Sequence, residues 1–207
     1  MAKLTLTTFV SLDGVMQAPG GPEEDTTGGF EYGGWVVPFA DDEMEAFVHE
    51  VFDRSGAFLL GRRTYDIFAA YWPKVTDPED PVASRLNTLR KHVVSTTLKD
   101  PAWENTTVVP KDVPAEVARL KERTAEGELQ IHGSGALAQS MLAHDLIDEV
   151  NLLLYPVYLG SGRRLFPDGG RPTAFELTDA RTTGSGIAMH TYRLDGRARF
   201  GTFDVGR

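Results

Sequence analysis

The sequence predicts a single α/β domain, and three observations carry that reading. Strand-like and helix-like signals alternate along the chain, no linker divides it, and Glu128–Ala138 reads as a strand, a glycine-paired turn and an apolar helix in succession. Taken in order, Leu4–Val10 is strand-like. Residues 14–40 follow with seven glycines and three prolines (Pro19, Pro22, Pro38) and no clear periodicity. A structureless loop of that length is functional or disordered in most proteins. A helix comes next: Asp42 caps it, Glu45 completes a capping box, and Met44, Phe47, Val48, Val51 and Phe52 form one apolar stripe. Ala57–Leu60 reads as a buried strand, and a short helix runs from about Arg63 to Ala70. Residues 71–88 read as a Pro-rich loop. His92–Thr96 and Thr106–Val109 are further strands, and Pro114–Arg123 is a helix with proline near its first turn, where it is tolerated. Ile147–Tyr155 is a strongly apolar strand stopped by Pro156, and Thr173–Leu177 and Ile187–Leu194 close the chain as strands.

Composition narrows the function classes. The chain has 207 residues, 41% hydrophobic and 25% charged, which suits one globular domain. No segment approaches the roughly 18 apolar residues that span a bilayer. Met1-Ala-Lys3 runs straight into the first strand, without the apolar core of a signal peptide. The absence of cysteine excludes disulfides, thiol catalysis and Cys-ligated metals, and agrees with a cytoplasmic protein. A net charge of −9 argues against broad nucleic-acid binding, so neither nucleic acid nor membrane is an expected partner.

Several chemistries lack their motifs. There is no G-x-S-x-G elbow, no G-x-x-x-x-G-K-[ST], and no H-E-x-x-H, since Asp53 stands where the second histidine would be. The five histidines are scattered, and no metal is expected. Gly133-Ser134-Gly135 is different. A turn of this kind lets backbone N–H groups approach an anion, and the following helix N-terminus adds positive potential. A plain strand-to-helix turn remains the alternative. A second candidate, Leu60-Gly-Arg-Arg-Thr-Tyr65, ends an apolar run in glycine and two cations, and Arg suits phosphate through bidentate hydrogen bonds.

Five motifs occur in one order: Ser11-Leu-Asp-Gly14, Leu60-Gly-Arg-Arg-Thr64, Lys91-His-Val-Val-Ser-Thr-Thr-Leu98, Ile131-His-Gly-Ser-Gly135 and Leu159-Gly-Ser-Gly162. Together they resemble the dihydrofolate-reductase-like superfamily, specifically the C-terminal reductase domain of bifunctional riboflavin-biosynthesis proteins, over roughly residues 2–194. The zinc deaminase domain of those proteins has no counterpart here, so the chain resembles a stand-alone reductase domain.

The resemblance implies a mixed, mostly parallel central sheet flanked by helices, and an NADPH-dependent reduction of a pterin-like or aminopyrimidine-type small molecule by hydride transfer. It places Gly133, Ser134 and Gly135 against the pyrophosphate, and Gly61, Arg62, Arg63 and Thr64 at the phosphates. It puts Ser95, Thr96 and Thr97 on the adenosine side, and Leu12, Asp13 and Gly14 beside the nicotinamide. Glu45 lies sixteen residues before Gly61, where these reductases carry their catalytic carboxylate. Burial beside a cofactor would raise the pKa of such a group toward a useful range. A capping role for Glu45 is the competing account. His49, one turn on, and Arg90 are the substrate-binding candidates by the same resemblance. Arg163 and Arg164 are further cations, with a surface role as the simpler reading. Reductases of this type are commonly dimers, which makes a homodimer an expectation, although core burial explains the apolar Leu152–Tyr155 strand end better. A non-catalytic NADPH- or pterin-binding protein and a structural partner module are the alternative functions.

Overall fold

The computed structural model describes residues 1–203. Its strands are β1 (Leu4–Ser11), β2 (Ser55–Gly61), β3 (Arg90–Val94), β4 (Thr106–Val109), β5 (Glu128–His132), β6 (Glu149–Tyr155), β7 (Thr173–Thr182) and β8 (Ala188–Arg197). Its helices are α1 (Asp42–Asp53), α2 (Arg62–Tyr71), α3 (Pro81–Thr88), α4 (Val113–Arg123) and α5 (Gly135–Ala143). The strands form one eight-stranded sheet in the order β4-β3-β2-β5-β1-β6-β8-β7. Pairing is parallel from β4 across to β6, and antiparallel where β8 joins β6 and β7 joins β8. The mixed, mostly parallel sheet is therefore as expected. Its parallel strands share a direction, so the loops that follow them gather along one edge.

Side chains alternate across a strand, and here the alternation divides two unlike faces. Leu4 and Leu6 of β1, Ala57 and Leu59 of β2, and Leu129 and Ile131 of β5 face α4 and α5, where Val117, Leu120, Leu137 and Met141 cover them. The opposite face carries α1, α2 and α3 over two separate apolar clusters, one around Phe47, Leu153 and Tyr155 and one around Phe52, Phe58 and Leu86.

Three expectations need correction. The cap of α1 is Asp41, whose Oδ1 accepts from Met44 N–H at 2.9 Å, not Asp42. Glu45 therefore falls one position past the capping-box place and caps nothing. Residues 71–88 contain α3: Asp80 caps it by accepting from Val82 and Ala83 N–H at 2.9 and 2.8 Å, Pro81 occupies its first turn, and Val82, Ala83 and Leu86 are buried. The Asp-Pro pair was the available signal.

The segment 14–40 is packed rather than free. Val15, Ala18, Phe30, Trp35 and Val36 are buried. Trp35 and Phe39 set their rings edge-on to Tyr155, with centroids 5.4 and 6.1 Å away. Gln17 satisfies the segment's own backbone, donating to the carbonyls of Asp25 and Thr27 at 3.0 and 2.9 Å. Tyr155 and Leu153 are wholly buried, so the apolar end of β6 serves the core.

Candidate active site

Four segments singled out in the sequence follow four adjacent strands. Ser95–Thr97 follows β3, Gly61–Thr64 ends β2 and opens α2, Gly133–Gly135 follows β5, and Leu12–Gly14 follows β1. In the sheet these strands lie in the order β3-β2-β5-β1. The structure thus brings all four to one stretch of the C-terminal edge, where open α/β sheets bind their ligands.

The turn after β5 has the conformation its glycine demands. Gly133 has φ 56° and Ser134 φ 51°, two successive left-handed residues. Around Gly133 there is room: a Cβ there would meet only Thr64 Oγ1, at 4.0 Å. The first helical bond of α5 runs from Ala138 N–H to Ser134 O at 2.9 Å, which leaves the earlier amides of its first turn without helical acceptors. Ser134 Oγ accepts from Gly61 N–H at 3.0 Å and fixes the β5 turn to the start of α2. The hydroxyl named for cofactor contact is thus also a structural tie.

The cations are oriented by carboxylates. Arg62 donates from Nε to both oxygens of Asp66 at 2.8 Å and reaches Thr97 Oγ1 at 3.4 Å, spanning the β2 and β3 loops. Ser95 Oγ accepts from the N–H groups of Thr97 and Leu98 at 3.2 and 3.0 Å, which closes that loop and leaves Thr96 exposed. Arg63 pairs with the buried carboxylate of Asp25 at 3.2 Å, and Arg163 pairs with the same oxygen. Burial opposes the charge on Asp25, but the Thr27 hydrogen bonds and the two guanidiniums hold its carboxyl below the ordinary value. Both cations thus converge on one carboxylate where the 14–40 segment meets α2.

Asp13 is a cross-link. It accepts from Ser11 Oγ at 2.6 Å and from the N–H groups of Leu159 and Gly160 at 3.2 and 2.9 Å, and Arg164 stands 3.8 Å away. Burial again opposes its charge, and those hydrogen bonds win, keeping the carboxyl below its usual range. Leu12 beside it is exposed, and Gly14 takes φ 79°. Arg163 and Arg164 therefore brace the site's loops rather than lie idle on the surface.

The substrate-side candidates are less united. Glu45 is exposed in the first turn of α1, so the chain itself does not supply the burial expected of it. His49 is half-buried one turn further on. Arg90 is not with them. It begins β3, at the edge opposite the loops, and its register partner Ala57 faces α4. There it lines a groove of about 370 Å³ with His92, Lys111, Arg119 and Arg123. Pairing Arg90 with His49 fails because the two lie on opposite faces of the sheet.

Sequence reasoning passed over a buried polar seam under α1. Arg54 donates to Glu128 at 2.9 Å, Gln130 Nε2 donates to Glu128 and to Val51 O at 3.0 and 2.7 Å, and His132 Nε2 lies 3.0 Å from Gln130 Oε1. His132 stacks on Phe52 with centroids 4.3 Å apart, and burial pushes its pKa down to about 3. The period-two pattern Glu128-x-Gln130-x-His132 was its signal, polar on one face and apolar on the other.

With this geometry in view, comparison with known proteins is informative. The family model of the RibD C-terminal domain matches residues 2–189. The chain belongs to that family. It is 25% identical over 197 residues to the uncharacterized protein YyaP of Bacillus subtilis, covering 94% of this chain and 96% of that one. A putative riboflavin biosynthesis protein from Shewanella sp. PV-4 shares the fold with a TM-score of 0.70 at 23% identity, over 94% of this chain and 99% of that one. A deaminase/5-amino-6-(5-phosphoribosylamino)uracil reductase from Thermotoga maritima does so with a TM-score of 0.60 at 16% identity, over 93% of this chain and 56% of its own. Among the described residues no helix is long and apolar enough to cross a membrane.

Proposed function

We propose that this protein is an NADPH-dependent reductase of an aminopyrimidine- or pterin-like small molecule, acting by hydride transfer. The observation that carries this reading is the convergence of the four segments on adjacent strand ends. Family membership supports it independently. The residues present fit the dinucleotide: the space at Gly133 and the free amides of α5 suit a pyrophosphate. Arg62 with Ser95, Thr96 and Thr97 suits an adenosine phosphate, which favours NADPH over NADH.

When bound, that cofactor supplies the hydride; this chain positions the reactants and sets the electrostatics around them. Gly133–Gly135, Gly61, Arg63 and Thr64 hold the phosphates. Leu12–Gly14, locked by Asp13, sets the nicotinamide end against the acceptor. Glu45 and His49, at the mouth beside α1, are the candidates for binding the acceptor and for protonating the reduced C=N or C=O group. The exposure of Glu45 favours one second reading, a protein that binds nucleotide or pterin without turnover.

One assay separates the two. NADPH consumption is followed at the nicotinamide absorbance with 5-amino-6-(5-phosphoribosylamino)uracil and with dihydrofolate as acceptors. Consumption with either supports the reductase, whereas tight NADPH binding without consumption by any pyrimidine or pterin supports the binding protein.

A further inference from the structure

The groove that Arg90 lines lies outside the candidate site, and the fold explains why it exists. α4 packs on β2 and β5 through Val117 and Leu120, and the sheet continues past them to β3 and the edge strand β4. Arg90 and His92 of β3 share that face with Thr107 and Val109 of β4, because His92 pairs with Thr107 and Val94 with Val109. Opposite them α4 presents Glu116, Arg119 and Arg123, spaced three and four residues apart and so on one side of the helix. The cleft between has a volume of about 370 Å³, with Lys111 and Asp112 at the turn that joins β4 to α4.

Its charges are unbalanced. Arg119 is engaged by Glu116, at 2.9 and 2.8 Å. Arg90, Lys111 and Arg123 have no carboxylate or hydrogen-bond partner among the described residues, and Asp112 is the carboxylate left to face them. Three cations against one anion leave two positive charges in excess, in a chain of net charge −9. Elsewhere the protein treats its arginines differently. Among the described residues every other arginine except Arg199 pairs with a carboxylate, as Arg62 does with Asp66, Arg164 with Asp13 and Arg181 with Glu50. His92 is half-buried among these groups. Burial, Arg90 and Arg123 hold its pKa below the ordinary value, against the opposing pull of Glu116. Both guanidiniums thus act on one imidazole, and like charges gathered in a concave cleft focus the field that attracts an anion.

We propose that this groove is a second ligand site, which seats a phosphate dianion between Arg90 and Arg123 beside His92. Guanidiniums donate paired hydrogen bonds to phosphate oxygens and stay charged, so two of them convergent on a cleft suit that group. The volume holds a phosphate with a modest organic part, and Val109, Pro110 and Leu120 supply an apolar wall for it. A small phosphorylated molecule fits better than a nucleic acid, which needs a basic face that an acidic chain does not extend beyond the groove. Arg90 begins β3, at the other end of that strand from Ser95–Thr97, so this ligand is a different molecule from the dinucleotide. The site therefore stands whether or not the chain is a reductase.

The test reads His92 by NMR while inorganic phosphate is titrated into the full chain, with sodium chloride holding the ionic strength fixed. The His92 imidazole resonances are expected to move and saturate, and its titration midpoint to rise by about one pH unit, because a bound anion favours the protonated ring. His144, after α5, and His190, on β8, are expected to stay where they are. Arg90 and Arg123 are exposed, so Arg90→Gln and Arg123→Gln should leave the fold intact. Each is expected to weaken phosphate binding at His92 by about tenfold, while Arg62→Ala leaves it unchanged. Phenyl phosphate then separates the sources of the group: tighter binding than inorganic phosphate assigns the site to a phosphorylated small molecule, and equal binding assigns it to the free ion. A His92 response that never saturates, or phosphate affinity indifferent to both arginine variants, overturns the site.

Discussion

The two faces of the sheet make different use of the same strands. Toward α4 and α5, β1, β2 and β5 present Leu4, Leu6, Ala57, Leu59, Leu129 and Ile131 to an apolar layer. Toward α1, the residues between them on β1 and β5 include Thr5, Thr7, Glu128, Gln130 and His132, all buried and polar. The seam continues onto β6 and β8, where Asn151 donates to Thr7 Oγ1 at 3.1 Å and accepts from Thr191 Oγ1 at 3.0 Å. Buried polar groups cost stability unless each finds its partner, and here every one does so by bonding its neighbours. The dry face holds the fold together; the polar face gives up some hydrophobic burial to hold His132 and the ends of β1 and β5 in fixed positions.

That contrast is open to direct attack. The largest effect belongs to the dry face. Ile131→Ala removes a fully buried side chain between two layers and is expected to cost about 2–5 kcal/mol in denaturant unfolding. Nucleotide affinity in the folded fraction should hold, because Ile131 faces away from the seam. Loss of NADPH binding without loss of stability would blur the division of labour.

A smaller effect should come from pH on the polar face. His132 has a folded pKa of about 3 and an ordinary unfolded value near 6.5, so the unfolded chain binds its proton more readily between those limits. Its contribution is complete above pH 6.5 and is lost as pH falls toward 3, amounting to roughly 3 kcal/mol at pH 4. Between pH 7 and pH 4 wild type should lose about 3 kcal/mol more stability than His132→Phe, which lacks the titrating group. Parallel curves would mean that His132 is not the buried neutral group described.

The sequence made part of this legible. Glycine turns and cation runs such as Gly133–Gly135 and Gly61–Thr64 are local signals, and so was the alternation of strands and helices. What escaped it was non-local. The order in 14–40 depends on Tyr155 and Arg163, more than a hundred residues away along the chain. α3 was hidden because the prolines before it outweighed the Asp80-Pro81 cap. Arg90 was misplaced because its face depends on the register of β3 against β2, which no local pattern specifies. The seam's polar spacing was visible, but its meaning required knowing that Arg54 and Val51 lie beneath it.

The central claim is that the C-terminal edge of β3, β2, β5 and β1 is a dinucleotide site. Calorimetric titration of the protein with NADPH and with NADH, repeated on Arg62→Ala, tests it most directly. The account predicts saturable NADPH binding, weaker NADH binding, and a loss of about tenfold or more for NADPH in the variant, the value of a charge-assisted hydrogen bond. No binding of either nucleotide, or NADPH affinity indifferent to Arg62, would contradict it.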